Sequence, residues 1–305
     1  MMIYMYKNLF VYQYLAAYVH KFMVKLSPKR EMERVYKKVF HKKPNIDKPQ
    51  NLLEEIYWLQ LYGDTSMWTK CADKYLVREY LHDLGMDNYL PKLYGKWESA
   101  DEISFDSLPP NYILKTNNGC GTCIIVRDKD KDYDDIRKQL KRWLIVPYGW
   151  SGAQLHYTKI KPCIIAEQLL ENSPKDNIIS PSCLIDYKIW CFNGVPECIL
   201  IVYGRQGHNA KLALYDTQWN LINENLVNTK TKQHSNDTII DRPICLDEML
   251  DVARKLSSPF KEVRVDLYVI NDKPVFGELT FTTGYGYFTE EYYNYLGGKF
   301  EVGNK

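Results

Sequence analysis

The fold of this chain is constrained most strongly by one stretch near its C-terminus, residues 263–281, with the sequence VRVDLYVINDKPVFGELTF. Apolar and polar side chains alternate over residues 263–269 and again over residues 275–281, which is typical of strands with two unlike faces. The alternation places Phe276 on the polar face of the second strand. Residues 271–273 between the strands are turn formers. The stretch therefore predicts an antiparallel β-hairpin.

The predicted turn has three residues, so that the two strands pair symmetrically about Asp272. Asp266 then lies opposite Glu278, and Arg264 lies opposite Thr280. Like charges directly opposed destabilise a sheet unless a cation lies between them or one carboxyl stays protonated. Carboxylate oxygens favour Mg²⁺ or Mn²⁺ as that cation. The pattern indicates a metal site, and the alternative is a solvated hairpin face with charges placed by chance.

The composition is that of an ordinary soluble protein. The 305 residues are 45% hydrophobic and 26% charged, enough for two or three substructures with sizeable cores. Eight cysteines lie scattered, mostly in apolar runs, which is typical of buried free thiols in a reducing compartment such as the cytoplasm. Cys120 and Cys123 form a CxxC, but no second pair or metal-spaced histidine accompanies it, so no zinc site is predicted.

Positive charge is concentrated at the N-terminus. Residues 1–50 hold eleven Lys and Arg against three acidic residues, which favours an anionic partner, with a solvated helix as the alternative. Residues 1–26 contain no run of about 18 apolar residues, so no transmembrane helix is predicted. A signal peptide fits poorly, because the basic charge follows the apolar part. We expect an amphipathic helix that packs on the protein or, alternatively, lies on a membrane.

An acidic linker ending in Pro-Pro, residues 101–110, separates a helical part from a strand-rich part. Helices are predicted over residues 31–43, 52–62, 73–84, 133–144 and 246–256, and strands over residues 112–115, 123–127, 163–166, 187–192, 197–203 and 211–215. The predicted domains are residues 1–110, mainly helical and basic, residues 111–175, and residues 176–305, which carry the hairpin. This order of elements indicates an α+β fold.

A loop of small residues, TNNGCGT at 116–122, joins two of the predicted strands. Gly119 and Gly121 would let backbone N–H groups approach phosphate oxygens, and Lys115 at the start of the loop would reach the same phosphates. The spacing of a Walker loop is absent. A glycine loop of an ordinary hairpin is the alternative.

The segment 167–171, EQLLE, follows a predicted buried strand. Its backbone groups could meet an adenine edge, and a carboxylate could meet a ribose. The alternative is a strand end with a solvated glutamate.

Taken in order, these features resemble the ATP-grasp superfamily and, more narrowly, the TupA-like ATP-grasp proteins, which are associated with cell-surface polysaccharide and teichuronopeptide biosynthesis. The resemblance runs from residue 47 to residue 300 and implies two α+β subdomains that clamp a nucleotide, with a helical N-terminal region. The blocks that carry it are DKY at 73–75 with Arg78, Lys115 with the glycine loop, IAE at 165–167, DYK at 186–188, FNG at 192–194, VRVDLY at 263–268 and FGELTF at 276–281.

The resemblance implies ATP and Mg²⁺ as cofactors, with Mn²⁺ as an alternative metal. It assigns phosphate binding to Lys115, Gly119, Cys120, Gly121 and Lys188, and adenine binding to Glu167, Gln168 and Leu170. It assigns the metal to Asp266, Glu278 and Thr280, the transferring phosphoryl group to Arg264, and an oxyanion to the Gly284 amide. The chain departs from the family pattern at Cys120, where we expect Ser, and at Thr280, where such ligases commonly have Asn.

The activity implied is that of a carboxylate–amine ligase that works through an acyl phosphate. It would join an amino acid or other amine to a uronic-acid carboxylate of a bacterial capsule or cell-surface glycan. Alternatives are a kinase of the same fold that phosphorylates a hydroxyl, and a non-catalytic nucleotide- or glycan-binding protein. His156 and His208 are candidates for proton transfer.

The partners implied are a carboxylate-bearing sugar or glycan, an amine, and, through the basic N-terminus, polysaccharide-synthesis proteins or a membrane surface. No nucleic acid is expected. The expected location is the cytoplasm, with the inner face of the membrane as an alternative.

Overall fold

The computed structural model describes residues 2–128, 132–207, 209–227, 232–234, 239–300 and 302, with the backbone alone for residues 2–10 and 232–234. Within these residues the helices are α1 Met2–Leu26, α2 Pro28–Phe40, α3 Leu52–Tyr62, α4 Ser66–Ala72, α5 Val77–Asp83, α6 Tyr133–Ile145, α7 Pro174–Ile179, α8 Leu246–Ser257 and α9 Glu290–Gly297. The strands are β1 Leu93–Trp97, β2 Tyr112–Thr116, β3 Cys123–Val126, β4 Ile164–Gln168, β5 Asp186–Phe192, β6 Val195–Gln206, β7 Asn209–Asp216, β8 Lys232–His234, β9 Glu262–Ile270 and β10 Lys273–Thr280. The predicted α+β class and helical N-terminal region are confirmed.

Local capping decides where two of the predicted helices begin. Helix α2 starts three residues earlier than predicted, because the Ser27 hydroxyl accepts a hydrogen bond from the Arg30 N–H at 3.3 Å and Pro28 occupies the first turn. Helix α5 starts later than predicted. The carboxylate of Asp73 accepts the N–H groups of Tyr75 and Leu76, which closes a separate turn before the helix. None of the helices in the described residues is long and apolar enough to cross a membrane.

The chain forms two compact units, each assembled from separate segments. The first consists of Met1–Lys43, Gln60–Tyr80 and Pro91–Leu169, and the second of Pro44–Leu59, Leu81–Leu90 and Leu170–Lys305. The domain limits at residues 110 and 175 stay predictions.

The first unit is built on a four-stranded antiparallel sheet in the order β1-β4-β2-β3. Strand β2 is central and alternates buried with half-buried residues. Leu114 and Ala166 face each other across β2 and β4 and are fully buried, and Leu140 of α6 belongs to the same hydrophobic core. The alternation leaves Lys115 on the opposite face of β2, at the start of the glycine loop.

The second unit is built on a six-stranded sheet in the order β10-β9-β5-β6-β7-β8, antiparallel except for the parallel pair β7 and β8. The inner strands β5 and β9 are largely buried on both faces. Helix α8 packs against β5, β6 and β9. Its Ser257 hydrogen-bonds to Cys191, so the apolar side chains of that face meet the helix. The other face carries Lys188, Trp190, Arg264 and Asp266, which are opposed in pairs across β5 and β9.

The turn of the hairpin β9–β10 differs from the prediction. Ile270 pairs with Lys273, so the turn has two residues, Asn271 and Asp272, rather than three. Both have positive φ angles, 51° and 59°, as a type I′ turn requires, and Asn and Asp tolerate that conformation best among residues with a side chain.

A β-bulge between Phe276 and Glu278 then inserts one extra residue into β10. The bulge compensates for the shorter turn, so Asp266 does lie opposite Glu278, and Arg264 opposite Thr280, as predicted. Between the turn and the bulge, each residue of β10 therefore points to the opposite face of the sheet from the one predicted. Phe276 therefore points to the apolar face and is buried, and its predicted position on the polar face is wrong.

Candidate active site

In the first unit, Glu167 binds the two cations nearest to it. Lys115 Nζ donates to Glu167 Oε2 at 2.9 Å, and Arg78 Nη1 donates to Oε1 at 3.0 Å. The Glu167 side chain is only 7% exposed, and a carboxylate this buried requires such partners. Sequence analysis placed Lys115 and Glu167 in separate roles and gave Arg78 none. The structure brings all three together.

The glycine loop is held from both sides. The hydroxyls of Thr116 and Thr122 lie 2.6 Å apart across its base, and Lys74 Nζ donates to the Gly119 carbonyl at 2.9 Å. A Cβ at Gly119 would lie 2.3 Å from the Thr122 hydroxyl oxygen, and Gly121 has a φ of +72°. Both positions therefore need glycine for reasons of local geometry. Cys120 at the tip is exposed, so its thiol is open to a ligand.

A buried amide anchors the start of this loop. Asn117 Nδ2 donates to Asp73 Oδ2 at 2.8 Å, and Asn117 Oδ1 accepts the Cys163 N–H at 2.7 Å. Burial raises the pKa of Asp73, against the hydrogen bonds that it accepts. This anchor was not predicted. The signal for it was an Asn directly after a strand with buried residues, where a polar side chain must find partners.

The predicted adenine segment is divided by the structure. Gln168 ends β4 with an exposed side chain, and its N–H donates to the Lys92 carbonyl at 2.9 Å. Leu170 is half-buried and belongs to the second unit. Because the Glu167 carboxylate is also engaged, the groups of this segment left for an adenine edge are mainly backbone ones.

In the second unit, Asp266 is the centre of a buried ion cluster. Its Oδ1 accepts from Arg264 Nε at 2.6 Å, and its Oδ2 accepts from Arg264 Nη2 at 2.7 Å and from Lys188 Nζ at 2.5 Å. Lys188 Nζ also lies 2.6 Å from Asp186 Oδ2. Arg264, Lys188 and Asp266 are 5%, 6% and 2% exposed. Two cations and two carboxylates thus balance each other away from water.

The electrostatics of the cluster keep its cations charged. Burial acts to lower the pKa of Lys188, but the carboxylates of Asp186 and Asp266 outweigh it, so that its pKa is raised. The pKa of Arg264 is raised for the same reason, with Asp266 as the main partner. Burial raises the pKa of Asp186, although Lys188 opposes the shift. Sequence analysis gave Asp186 no role.

The partly exposed edge of the cluster is formed by β10. Glu278 is 35% exposed, and its Oε1 lies 3.8 Å from Arg264 Nη2. The Thr280 hydroxyl accepts from Arg264 Nη2 at 3.0 Å and lies 3.4 Å from Glu278 Oε1. Glu278 is therefore more exposed to solvent than Asp266, and it faces Asp266 across the strands.

Asp266, Glu278 and Thr280 fit a magnesium ion by their chemistry, since two opposed carboxylates and a hydroxyl supply hard oxygen donors. In the described part of the chain, no group of three or more His, Cys, Asp or Glu side chains could hold a metal ion by itself. Mg²⁺ commonly binds through one or two carboxylates together with the phosphates of a substrate. The donor set therefore fits a metal that arrives with a nucleotide, and these assignments stay predictions.

The segment after β10 continues the same surface of the second unit. Arg264 Nη1 donates to the Thr283 hydroxyl at 3.2 Å, and its guanidinium carbon lies 5.4 Å from the centre of the Trp190 ring. The neighbouring Gly284 is exposed, and a Cβ there would lie 3.2 Å from the Tyr287 ring. Gly284 thus directly follows a residue that Arg264 contacts, and the role of its amide towards an oxyanion stays a prediction.

Of the two histidine candidates, the structure describes His156 alone. His156 is 1% exposed and lies edge-on to Trp68 in the first unit. Burial lowers its pKa to about 3, so it is neutral at physiological pH. Its surroundings are those of a structural residue. His208 lies outside the described residues.

Comparison with solved structures finds ligases of low sequence identity. The D-alanine–D-alanine ligase of Bacillus anthracis, complexed with ATP, is 16% identical with a TM-score of 0.42, and the match covers 70% of this chain and 56% of that one. The Helicobacter pylori D-alanine–D-alanine ligase is 14% identical with a TM-score of 0.40, covering 76% and 62%. The ATP-grasp ligase PsnB, complexed with a minimal precursor, is 12% identical with a TM-score of 0.41, covering 73% and 56%. This chain spans less than two thirds of each of these proteins.

Among curated proteins, no sequence matches the chain. The family model of the TupA-like ATP-grasp proteins matches residues 54–301, a range that includes every predicted site residue. The resemblance seen in the sequence is thereby confirmed, and this protein belongs to the TupA-like ATP-grasp family.

Proposed function

We propose that this protein is an ATP- and Mg²⁺-dependent ligase that joins a carboxylate to an amine through an acyl phosphate. The observation that carries the proposal is the buried cluster of Arg264, Asp266 and Lys188, with Glu278 opposed to Asp266. Burying these charges costs free energy, and a sheet face with only a structural role could avoid that cost with apolar side chains. Such an arrangement suits a site that stabilises a phosphoryl group in transfer. Family membership supports the same choice.

The phosphates of ATP are proposed to bind Lys115, the amides of the glycine loop and Lys188. Each ammonium group has three N–H donors, so Lys115 can keep its bond to Glu167 while it also binds a phosphate oxygen. Lys188 uses two donors on Asp186 and Asp266 and keeps a third. The adenine is proposed to bind backbone groups of residues 167–170.

Asp266 orients the guanidinium of Arg264 through two hydrogen bonds, which prepares Arg264 to contact the transferring phosphoryl group without reorganisation. Asp266 and Glu278 are the proposed holders of Mg²⁺, with Thr280 as a weaker third donor. Magnesium, when bound, neutralises negative charge on the phosphate oxygens. The Gly284 N–H is proposed to donate to the oxyanion that forms at the acyl carbon.

The proposed chemistry has two steps. An oxygen of the acceptor carboxylate attacks the γ-phosphorus of ATP, the bond from that phosphorus to the bridging oxygen breaks, and ADP leaves. The nitrogen of a neutral amine then attacks the acyl carbon, phosphate leaves with the electrons of the C–O bond, and the ammonium proton passes to solvent. No side-chain nucleophile is required, since positioning and charge neutralisation supply the catalysis.

The proposed acid is a uronic-acid carboxylate of a bacterial capsule or cell-surface glycan, and the proposed amine is an amino acid. This choice follows the association of the family with cell-surface polysaccharide synthesis. We place the reaction in the cytoplasm, where ATP is supplied, with polysaccharide-synthesis proteins as the partners.

Hydroxylamine trapping tests the proposal, because hydroxylamine acts as the amine and converts an acyl phosphate into a hydroxamate, which forms a coloured complex with Fe³⁺. The full-length protein is incubated with Mg²⁺-ATP, hydroxylamine and, in turn, glucuronate, galacturonate, oligouronates and amino acids. We expect ADP and hydroxamate in equal amounts with at least one acid, and neither product from Glu278→Gln. ADP formed together with an acid-stable phosphate ester and no hydroxamate would show a kinase instead. No nucleotide binding at all, in a folded sample, would refute both activities.

A further inference from the structure

Helix α1 presents a continuous apolar surface to solvent. Between residues 11 and 26 it carries eight large hydrophobic side chains that are each 38% exposed or more, among them Tyr12 at 71%, Phe22 at 65% and Leu26 at 71%. We call this set the α1 stripe: Val11, Tyr12, Leu15, Tyr18, Val19, Phe22, Met23 and Leu26. Large exposed apolar patches mark contact surfaces, whereas scattered single residues do not.

The spacing of the α1 stripe is that of one helix face. At about 100° per residue, its members cover an arc of about 140°, and within residues 11–26 no charged side chain falls on that arc. The opposite side faces the protein. Val24 is buried there, and His20 Nδ1 lies 2.9 Å from the carboxylate of Glu31, which is fully buried. An apolar face of this width normally turns towards the core, and here it turns outwards.

The segment that carries the α1 stripe is rich in exposed basic residues. Helix α2 packs against α1, and the exposed cations of this region are Lys25, Arg30, Arg34, Lys37, Lys38, Lys42 and Lys43. Residues 11–43 contain nine Lys and Arg but only two acidic residues, Glu31 and Glu33. Arg34 engages the carboxylate of Glu31 with two hydrogen bonds. An exposed apolar face thus belongs to a segment with strong positive charge.

We propose that the α1 stripe docks on an anionic phospholipid bilayer and lies in the interface, with the basic residues of this segment attracted to the lipid headgroups. A helix with aromatic and aliphatic residues on one side and lysines beside it is typical of interfacial membrane binding. Residues 11–26 extend about 24 Å along the axis, enough to lie along the surface over about four turns. Each Lys or Arg near an anionic surface adds to the attraction.

Charge argues for lipid over a second copy of this chain. Two copies joined through the α1 stripe would bring two strongly basic segments together, and their repulsion would oppose association. An anionic bilayer offers an apolar interior to the α1 stripe and negative headgroups to the basic residues, so it complements both. The proposal does not depend on the ligase activity, since it concerns residues 11–43 alone.

Vesicle co-sedimentation of the full-length protein tests the proposal. The vesicles are phosphatidylcholine with phosphatidylglycerol in equal parts, and pure phosphatidylcholine. The variants are Leu15→Glu with Phe22→Glu on the α1 stripe, and Lys37→Glu with Lys38→Glu on α2. The matched control is Ile178→Glu with Ile244→Glu, which are 83% and 79% exposed in the second unit. All six positions are on the surface, so the thermal melting temperature should stay close to that of the wild type.

We expect the wild type and the control pair to sediment with the anionic vesicles and to bind pure phosphatidylcholine at least about tenfold more weakly. Each test pair should weaken anionic binding by about tenfold or more. Equal binding by the wild type and the Leu15/Phe22 pair would overturn the proposal. So would a failure of the wild type to bind vesicles. If light scattering then shows a dimer that only the Leu15/Phe22 pair abolishes, the α1 stripe is a self-association surface instead.

Discussion

Replacing Asp266 by asparagine removes the carboxylate that lies between two buried cations, whereas replacing Glu278 by glutamine changes a side chain that is 35% exposed. The two substitutions are chemically alike, and both positions are proposed metal donors. Their structural surroundings differ, because Asp266 accepts three charged hydrogen bonds from Arg264 and Lys188. Comparing these two variants therefore separates the contribution of the cluster to stability from its contribution to nucleotide binding.

The magnitudes follow from burial. Removing one partner of a buried ion pair costs about 3–5 kcal/mol, because it leaves uncompensated charge away from water. Asp266→Asn should therefore melt lower than the wild type by on the order of 10 °C without ligand. For Glu278→Gln we expect a smaller change, of about 0–1 kcal/mol as for an exposed ion pair, since the Glu278 side chain is 35% exposed. Asp251→Asn is the control, because its partner Arg254 is also exposed.

Thermal melting with and without Mg²⁺-ATP is the assay. A ligand at a hundred times its Kd stabilises the folded state by about 2.7 kcal/mol, which corresponds to several degrees. The wild type and Asp251→Asn should show this upshift, and neither Asp266→Asn nor Glu278→Gln should show its magnesium-dependent part. Unchanged ligand-free melting of Asp266→Asn would refute the role of the cluster in stability. A full upshift in Glu278→Gln would refute its role as a metal donor.

Three further substitutions test other parts of the two units. Burial raises the pKa of Glu262 well above 4.5, and its carboxyl has no hydrogen-bond partner among the described residues. The folded state therefore keeps its proton while the unfolded state loses it, and stability falls by about 1.4 kcal/mol per pH unit as pH rises above about 4.5. Glu262→Gln should gain in melting temperature over the wild type between pH 4.5 and pH 8, and parallel pH curves would contradict this. Gly119→Ala should raise the KM for ATP about tenfold or more, because its Cβ would meet the Thr122 hydroxyl, while an unchanged KM would show that the loop does not bind phosphate. Arg78→Met should lower the free energy of unfolding by about 1–3 kcal/mol in urea titrations, since it removes one of two cations from the buried Glu167.

The hairpin shows how far local sequence rules reach. The strands could be predicted from alternation. The opposition of Asp266 to Glu278 was predicted from a three-residue turn, and it holds because a two-residue turn and a bulge offset each other. The turn could not be predicted, because Asn271 and Asp272 tolerate positive φ and a two-residue turn then competes with a three-residue one. The bulge that restores the register lies at Gly277, where a Cβ would be 2.9 Å from the Asp266 carbonyl oxygen. A glycine inside a strand was the available signal for it.

The ion pairs mark the limit of such rules, because they join residues that are distant in sequence. Lys115 meets Glu167, and Lys188 meets Asp266, only once the order and register of the strands are set. The family resemblance implies that each lysine binds a phosphate. The structure shows, in addition, a carboxylate that binds each lysine and holds it in place.

The pairing of Asp186 with Lys188, in contrast, could have been predicted from the sequence. Asp186 precedes Lys188 by two residues on one strand, so both side chains leave the same face. An acid and a base at that spacing are expected to pair when the strand is buried from its second residue onwards, because the buried Lys188 needs a carboxylate partner. Lys188 is therefore fixed by a carboxylate on its own strand and another on the neighbouring strand. If either is removed, the ammonium gains freedom to move. Positioning of Lys188 should thus depend on Asp186 as well as on Asp266.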